Sequence, residues 1–356
     1  MARLLLCLFS MKSYQVSFFD ESQRLAALSR LNDPLVELAK RIDFEMFRPI
    51  LIEALRKAER KSPAGRKPLD VILMFKALII QRLFNLSDEQ LEYQITDRLS
   101  FTRFLGLHIG ETIPDYTSFW GFREALAEKG LERQLFEHFA AKLEAEGVLA
   151  KTGSIIDATI VEVPRQRNKR EENERIKAGQ VPAEWDDAKR AHKDTDARWV
   201  KKNGVSFFGY KDHIKTDSGT NLITDYRVTS ANVHDSVPFE ELVGESDQGT
   251  SLHADSAYKS AENDERLEAL GIKNQIHEKG NRAGALSEAQ LRHNRQKSKI
   301  RALVEHVFGF MENSMNRIFL RTIGMKRAKC AIGLANLVYN LCRYTQLIRL
   351  GRIQTA

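Results

Sequence analysis

The stretch Ser154-Ile155-Ile156-Asp157-Ala158-Thr159-Ile160-Val161-Glu162-Val163-Pro164 decides the fold of this 356-residue chain. Its β-branched residues follow one another almost without interruption and a proline ends the run, so it predicts a strand. The sequence before about residue 150 has helical spacing instead. The change of period at this point predicts an all-α N-terminal part followed by a mixed α/β domain.

After this strand the pattern alternates between strands and helices. We expect strands over 204–216, 222–229, 251–255 and 272–277, a helix over 264–270, and, after a basic loop, helices over 300–311 and 325–348. Residues 165–202 are highly charged and lack an apolar stripe apart from Trp185, Trp199 and Val200. This segment therefore predicts an exposed insertion with some helix, anchored to the core by its tryptophans or using them to stack on bases.

Capping signals place the helices of the N-terminal part. Asp70 is expected to cap a helix over 71–83, and Ser87 with Gln90 forms a capping box for the next one. Further helices are expected over 101–105 and 118–127. Short helices joined by tight turns fit a helix-turn-helix-like module or a plain bundle, and we favour the bundle.

Composition excludes several classes of protein. With 42% hydrophobic and 29% charged residues, the composition excludes a disordered chain. The sequence also lacks the run of about 20 apolar residues that a membrane-spanning helix needs. The apolar run Leu4 to Phe9 is too short for a signal peptide, and Met11 could equally be the start. Three cysteines, at 7, 330 and 342, without zinc or redox spacing suit a cytoplasmic protein.

Positive charge is concentrated near the C-terminus. Residues 290–356 carry thirteen basic and two acidic side chains, a net +11, whereas the whole chain carries only +7. Such an excess indicates either a contact with a polyanion or merely solvated helix faces.

Three carboxylates interrupt apolar surroundings. Asp157 lies within the most apolar strand, Asp255 ends another strand, and Glu305 borders the apolar face of a helix. Buried carboxylates are costly unless paired or bound to metal, and such a set suits hard divalent cations. Singly, each has an ordinary explanation: an ion pair for Asp157, a turn cap for Asp255, or an i,i+4 pair with Arg301 for Glu305.

The surroundings of these carboxylates resemble the bacterial insertion-sequence transposases of the DDE class, in the group whose type member is insertion sequence five. The matching stretches follow the family's order from about residue 60 to 345: Ile156-Asp157-Ala158-Thr159, residues 194–199, Lys201-Lys202-Asn203-Gly204, Phe208-Gly209-Tyr210-Lys211, residues 229–236, Ala254-Asp255-Ser256-Ala257-Tyr258, Arg301 with Val304-Glu305-His306, and residues 332–337.

The resemblance implies a ribonuclease-H-like catalytic fold in which Asp157, Asp255 and Glu305 bind two Mg²⁺ or Mn²⁺ ions. It also implies that the helical part contacts DNA. The expected organisation is a helical segment over 1–59, a helical DNA-end-binding domain over 60–150, and a catalytic domain over 151–350 that contains the charged insertion 165–202.

In related transposases the last Glu belongs to a pattern of Tyr, two residues, Arg, three residues, Glu, six residues and Lys. Arg301 and Glu305 fit it, whereas Ser298 and Glu312 replace the Tyr and the Lys. We expect nearby basic residues to contact DNA instead, namely Lys259, Arg295, Lys297, Lys299, Arg301 and Arg317.

The expected function is cleavage of the ends of an insertion sequence and transfer of the freed 3′-OH to target DNA. The partners would be duplex DNA, as terminal inverted repeats and as target, and a second protomer for synapsis. The protein would act on the nucleoid in the cytoplasm, without a membrane. The rival hypotheses are a ribonuclease-H-like endonuclease without strand transfer and a catalytically inactive protein that only binds the repeats.

Overall fold

The computed structural model describes residues 20–31, 33–55, 69–108, 110–280 and 285–353. The predictions made for Leu4 to Phe9, Met11 and Cys7 lie outside these residues. In the N-terminal part every regular element is helical, as the sequence predicts. Its helices are α1 (Asp20–Arg30), α2 (Pro34–Arg41), α3 (Arg48–Leu55), α4 (Val71–Phe84), α5 (Asp88–Asp97), α6 (Leu99–Leu105), α7 (Tyr116–Lys129) and α8 (Leu131–Ala145).

Two predicted capping signals are confirmed. The Asp70 carboxylate accepts hydrogen bonds from the backbone N–H groups of Ile72 and Leu73, at 2.8 and 3.1 Å, so it caps α4. Ser87 and Gln90 exchange the two bonds of a capping box at the start of α5. Such caps satisfy backbone donors that a helix leaves unpaired, which is why they mark the starts in the sequence.

The remainder of the described chain mixes strands and helices. The strands are β1 (Gly153–Glu162), β2 (Arg198–Lys202), β3 (Val205–Asp217), β4 (Ile223–Ser230), β5 (Ser251–Ala254) and β6 (Lys273–Ile276). The helices are α9 (Arg170–Lys177), α10 (Asp187–Ala191), α11 (Phe239–Leu242), α12 (Ala261–Ala269), α13 (Glu288–Arg301), α14 (Val304–Asn313) and α15 (Met325–Arg349).

The six strands form one mixed sheet in the order β2-β3-β1-β5-β6, with β4 also paired to β3. β1 and β3 are antiparallel, whereas β1, β5 and β6 run parallel to one another. Because β2 pairs only with the start of β3, the rest of that edge is free to pair with β4. This mixed α/β sheet after a helical N-terminal part confirms the expected ribonuclease-H-like fold class.

Helix α15 joins the two parts of the molecule. It packs against α2, α4, α7 and α8 on one side and against β4 on the other, and its residues are buried along most of its length. Gly333 permits this packing because a Cβ there would lie 2.3 Å from the Tyr226 hydroxyl oxygen. The N-terminal helices therefore pack as a bundle that shares its core with the sheet, while the domain boundaries at 59, 60 and 150 stay predictions.

The charged segment 165–202 is less detached than its composition suggests. Its last five residues form β2, which pairs with β3 through a two-residue turn whose Asn203 and Gly204 both have positive φ. Asp194 accepts a hydrogen bond from the Tyr210 hydroxyl at 2.7 Å, and Asp196 accepts one from the backbone N–H of Met325 at 2.8 Å. The segment is thereby fastened to the sheet and to the start of α15.

The prediction of a basic loop before residue 300 is wrong, because α13 occupies most of it. This helix buries none of its residues, so it has no apolar period for a sequence pattern to reveal. A capping box between Ser287 and Gln290 begins it. No helix in the described part of the chain is both long and apolar enough to cross a membrane.

A candidate acidic active site beside a basic helix

Asp157 and Asp255 occupy matching positions on the neighbouring parallel strands β1 and β5. The last paired residues of these strands are Ile155 and His253, and each aspartate follows two residues later, Asp157 within β1 and Asp255 directly after the end of β5. Two residues are one full period of a strand, so both carboxylates leave the sheet on the same face. This is the face on which α14 packs, through buried Val304 and Val307.

The Asp157 side chain is only 16% exposed. Its Oδ1 accepts the backbone N–H of Ala158 at 2.8 Å, and its Oδ2 accepts Nη1 of Arg301 at 2.8 Å. Burial raises the pKa of Asp157 to about 6, although these two donors lower it, and the negative charges of Asp255 and Glu305 raise it further. Asp157 therefore lies close enough to both other carboxylates to be affected by their negative charges.

Asp255 and Glu305 hold more open positions. Asp255 accepts a hydrogen bond from the backbone N–H of Ala257 at 2.8 Å and caps a single 3-10 turn. The turn cap that the sequence offered as the ordinary explanation for Asp255 is therefore confirmed. Glu305, in the first turn of α14, is 58% exposed and accepts Nη2 of Arg301 at 3.4 Å. Its predicted i,i+4 pair with Arg301 is confirmed too.

Helix α13 presents a polar inner face to the sheet and the acidic cluster. Asn294 donates to the backbone oxygen of Glu278 at 3.0 Å, and Lys297 donates to that of Ile276 at 2.7 Å. One turn further on, Arg301 reaches Asp157. The spacing i, i+3 and i+7 places all three on one side of the helix. Lys297 is thus engaged with the protein itself.

The outer face of α13 carries the exposed positive charge. Arg292, Arg295 and Lys299 also follow the spacing i, i+3 and i+7, and all three are exposed. They form a basic stripe on the face of α13 opposite to the one that carries Arg301 and contacts the acidic cluster. We call these three residues the α13 stripe.

The other basic residues expected to contact DNA have carboxylate partners. Lys259 lies 3.0 Å from Asp264 and 3.6 Å from Glu278. Arg317 lies 3.1 Å from Glu312, the residue that replaces the family's Lys. The excess of positive charge near the C-terminus is therefore not a single surface.

Three positive charges on α15 are likewise engaged by the protein itself. Lys326 pairs with Glu128 and Arg327 with Glu124, at 2.9 and 2.7 Å, so both join α15 to α7. Arg343 donates to the backbone oxygen of Thr220 at 2.7 Å. The three side chains of the α13 stripe, by contrast, are exposed and form no ion pair with the described residues.

The carboxylate cluster fits hard divalent cations by its chemistry. Its donors are all oxygens, it concentrates negative charge, and Glu305 and Asp255 keep oxygen atoms open toward solvent. Within the described residues no three His, Cys, Asp or Glu side chains converge as a complete ligand set. The Arg301 guanidinium instead supplies the positive charge between Asp157 and Glu305.

Two further groups were not singled out from the sequence, namely Tyr258 at the cluster and Lys211 on the opposite face of the sheet from Asp157. The buried Tyr258 hydroxyl has no hydrogen-bond partner among the described residues, and burial together with the charges of Asp157, Asp235 and Asp255 raises its pKa well above the usual value. Lys211 lies 2.7 Å from Asp235 and holds that loop against the sheet. Tyr258 follows Asp255 by three residues, which was the signal available in the sequence.

The two tryptophans of the charged segment differ. Trp185 is 2% exposed and donates to the Glu172 carboxylate at 2.7 Å, a contact within the charged segment itself, so its anchoring to the core stays a prediction. Trp199 lies on β2, is 46% exposed, and contacts Phe208 with ring centroids 5.2 Å apart. Arg165 covers its ring at 5.9 Å.

Sequence comparison matches residues 149–341, more than half of the chain, to the family described as "Transposase DDE domain". The chain belongs to the DDE transposases. Residues 23–125 match a second family, described as "Transposase domain (DUF772)", which covers most of the helical part. The expected class of insertion-sequence DDE transposase is thereby confirmed, and the first match covers the elements that carry Asp157, Asp255 and Glu305.

Among solved structures, this DDE transposase is similar to the piggyBac transposase in a synaptic complex with hairpin DNA. The identity is 13%, the alignment covers 91% of this chain and 77% of that one, and the TM-score is 0.48. The Mos1 transposase in a paired-end complex with the left transposon end is 10% identical, with coverage of 70% and 82% and a TM-score of 0.20. Neither likeness adds to the family assignment.

Proposed function

We propose that this DDE transposase binds the terminal inverted repeats of an insertion sequence, hydrolyses the DNA at the element ends, and joins the freed 3′-OH ends to target DNA. We also propose that its element belongs to the insertion sequence five group. The observation that supports catalysis most directly is the shared register of Asp157 and Asp255, with Glu305 on the helix that covers the same face.

In this proposal Asp157, Asp255 and Glu305 hold two divalent cations, Mg²⁺ or Mn²⁺. Such ions lower the pKa of an attacking water and stabilise the charge on the leaving 3′ oxygen. Asp157 would take part in holding these ions, because its carboxylate interacts with both of the others and is only 16% exposed.

The chain's own residues would bring the DNA to this negatively charged pocket. The α13 stripe offers three exposed cations on the helix that also carries Arg301, and their attraction for phosphates offsets the repulsion between carboxylates and DNA. Protein oxygens partly neutralise the charges of the other candidate residues, Lys259, Lys297, Arg301 and Arg317. We propose that they position the phosphates nearest the reacting bond.

The helical part, over 60–150, is proposed to read the terminal repeats. Two element ends must be brought together for transposition, so we propose that a homodimer or larger assembly acts on the nucleoid in the cytoplasm. Both proposals are independent of the chemistry of the cluster. Footprinting tests the binding of the terminal repeats, and the mass of the protein–DNA complex tests the oligomeric state.

A plasmid assay separates this function from its two rivals. The substrate is a supercoiled plasmid mixed with a duplex that ends in the inverted repeat flanking the gene, already cleaved at its 3′ end. A transposase joins that end to the plasmid in Mg²⁺ but not in EDTA. Cleavage without joining would indicate an endonuclease, and metal-independent binding alone would indicate an inactive repeat-binding protein.

A further inference from the structure

One guanidinium group joins two of the three candidate metal ligands. Nη1 of Arg301 donates to Oδ2 of Asp157 at 2.8 Å, and Nη2 donates to Oε1 of Glu305 at 3.4 Å. The Arg301 side chain is 24% exposed, so it fills space between the carboxylates while remaining within reach of solvent. A guanidinium presents its donors as a rigid fork, which suits it to bridging two acceptors.

The backbone around Arg301 fixes the direction of this fork. Arg301 is the last residue of α13, and the chain turns at Ala302 and Leu303 before α14 begins. Upstream on the same face, Lys297 and Asn294 attach α13 to the backbone oxygens of Ile276 and Glu278. Arg301 therefore approaches Asp157 from a helix that is itself anchored.

We propose that Arg301 is a built-in counter-ion that competes with divalent cations for Asp157 and Glu305, so that metal binding requires its release. The inference rests on the proposed function, because it takes these carboxylates as metal ligands. A divalent cation bound to Oδ2 of Asp157 and Oε1 of Glu305 would lie against the guanidinium that already donates to these oxygens, and the two positive charges would repel each other. Arg301 is in this sense a positioning residue, which keeps the carboxylates together before metal arrives and lowers the apparent metal affinity.

Release of Arg301 has a second consequence, because the freed guanidinium remains charged and next to the pocket. Phosphate is a matching acceptor for it. A DNA phosphate that draws Arg301 away from the carboxylates would then raise the affinity for metal, and metal would raise the affinity for DNA by the same factor. The metal ions would thus be bound most tightly when substrate is present.

The test measures Mn²⁺ binding to the full chain without DNA, by the electron paramagnetic resonance signal of free Mn²⁺. We expect Arg301→Gln to bind Mn²⁺ about tenfold more tightly than wild type, within the roughly 5- to 150-fold range usual for coupled ligands. Arg301→Lys keeps the charge without the fork and should lie between them. The matched control, Arg295→Gln, removes an exposed charge of the same helix and should change the affinity by less than about twofold.

A second readout is the rise in melting temperature on adding Mn²⁺, which should be larger in Arg301→Gln than in wild type and also shows that the variant folds. One outcome would overturn the competition but keep the metal site: wild type binds Mn²⁺, Asp157→Asn abolishes this binding, and Arg301→Gln binds Mn²⁺ no more tightly than wild type. If no Mn²⁺ binding in any of these proteins depends on Asp157, both this inference and the metal site of the proposed function are overturned.

Discussion

Asp157 and Asp255 stand two residues beyond the last paired residues of two adjacent parallel strands, and their carboxylates therefore face the same side of the sheet. Neither strand alone would create this arrangement. It depends on the pairing of β1 with β5, which are separated in the chain by the charged segment and by two further strands. The acidic cluster is thus a product of the sheet topology, while α14 adds Glu305 from outside the sheet.

Asp255→Asn should abolish cleavage without loosening the fold. Asparagine can keep the cap that Asp255 makes with the Ala257 N–H, so the stability should change by less than about 0.5 kcal/mol. Loss of a metal ligand should lower the cleavage rate about a thousandfold, since a bound ion contributes several kcal/mol. Asp264→Asn, at a carboxylate engaged by Lys259, is the control and should keep activity within about tenfold of wild type. An equal loss of cleavage activity in both variants would contradict the assignment of Asp255 as a metal ligand.

Glu305 and Glu312 offer a comparison within one helix. Both are exposed residues of α14, but Glu305 lies in the first turn beside Asp157 whereas Glu312 pairs with Arg317. Glu305→Gln should lose cleavage and strand transfer, and Glu312→Gln should keep both. The measurement is single-turnover cleavage of an end duplex, with circular dichroism to verify folding. An active Glu305→Gln variant would exclude Glu305 as the third ligand.

The α13 stripe should determine much of the salt dependence of DNA binding. Each exposed charge that contacts a phosphate contributes about 0.9 to the slope of log affinity against log salt. The double variant Arg295→Gln/Lys299→Gln should therefore lower that slope by about 1.8, in fluorescence anisotropy titrations between low and moderate salt. The control is Lys151→Gln, at the opposite end of β1, which should leave the slope unchanged. An unchanged slope in the double variant would indicate that the DNA contacts a different surface of the protein.

Asp212 should make the fold less stable as the pH rises. Asn336 donates to its Oδ1 at 3.1 Å, whereas Oδ2 of Asp212 and Oδ1 of Asn336 have no partner among the described residues. Burial raises the pKa of Asp212 to about 7, so near neutral pH the folded protein binds a proton that the unfolded chain, with a pKa of about 3.9, has released. Stability is therefore lost as the pH rises from about 4 through 7.

Asp212→Asn removes this titration and keeps an amide that can pair with Asn336. Between pH 5 and 8 the stability of wild type relative to the variant should fall by on the order of 2 kcal/mol, measured by urea unfolding. Burial lowers the pKa values of His213 and His253 to about 4, which gives an opposite slope at acid pH in both proteins and cancels in the difference. Parallel pH profiles of the two proteins would contradict the assignment.

Local signals predicted much of the fold. The strands β1, β3, β4, β5 and β6 lie within a few residues of their predicted positions, because β-branched runs and flanking turns mark them. Helices α4 and α5 begin at the predicted caps. Strand β2 and helix α13 were not predicted because neither has an apolar period. Pairing with β3 stabilises β2, and polar contacts of its inner face stabilise α13.

The candidate site was predictable residue by residue but not in its arrangement. The types and local settings of Asp157, Asp255 and Glu305 made them candidates, whereas their proximity depends on β1 pairing with β5 and on α14 crossing β1. Sequence position suggested that Lys297 and Lys299 are equivalent. Their side chains lie on opposite faces of α13, and only long-range contacts with Ile276 decide which of them is exposed.

The most direct test of the carboxylate assignment is strand transfer by Asp157→Asn, with a pre-cleaved element end and supercoiled plasmid in Mg²⁺. The account predicts that the variant binds the end duplex as wild type does but joins it to the plasmid about a thousandfold more slowly or not at all. Strand transfer at the wild-type rate in this variant would contradict the account, because the reaction would then proceed without the carboxylate at the centre of the cluster.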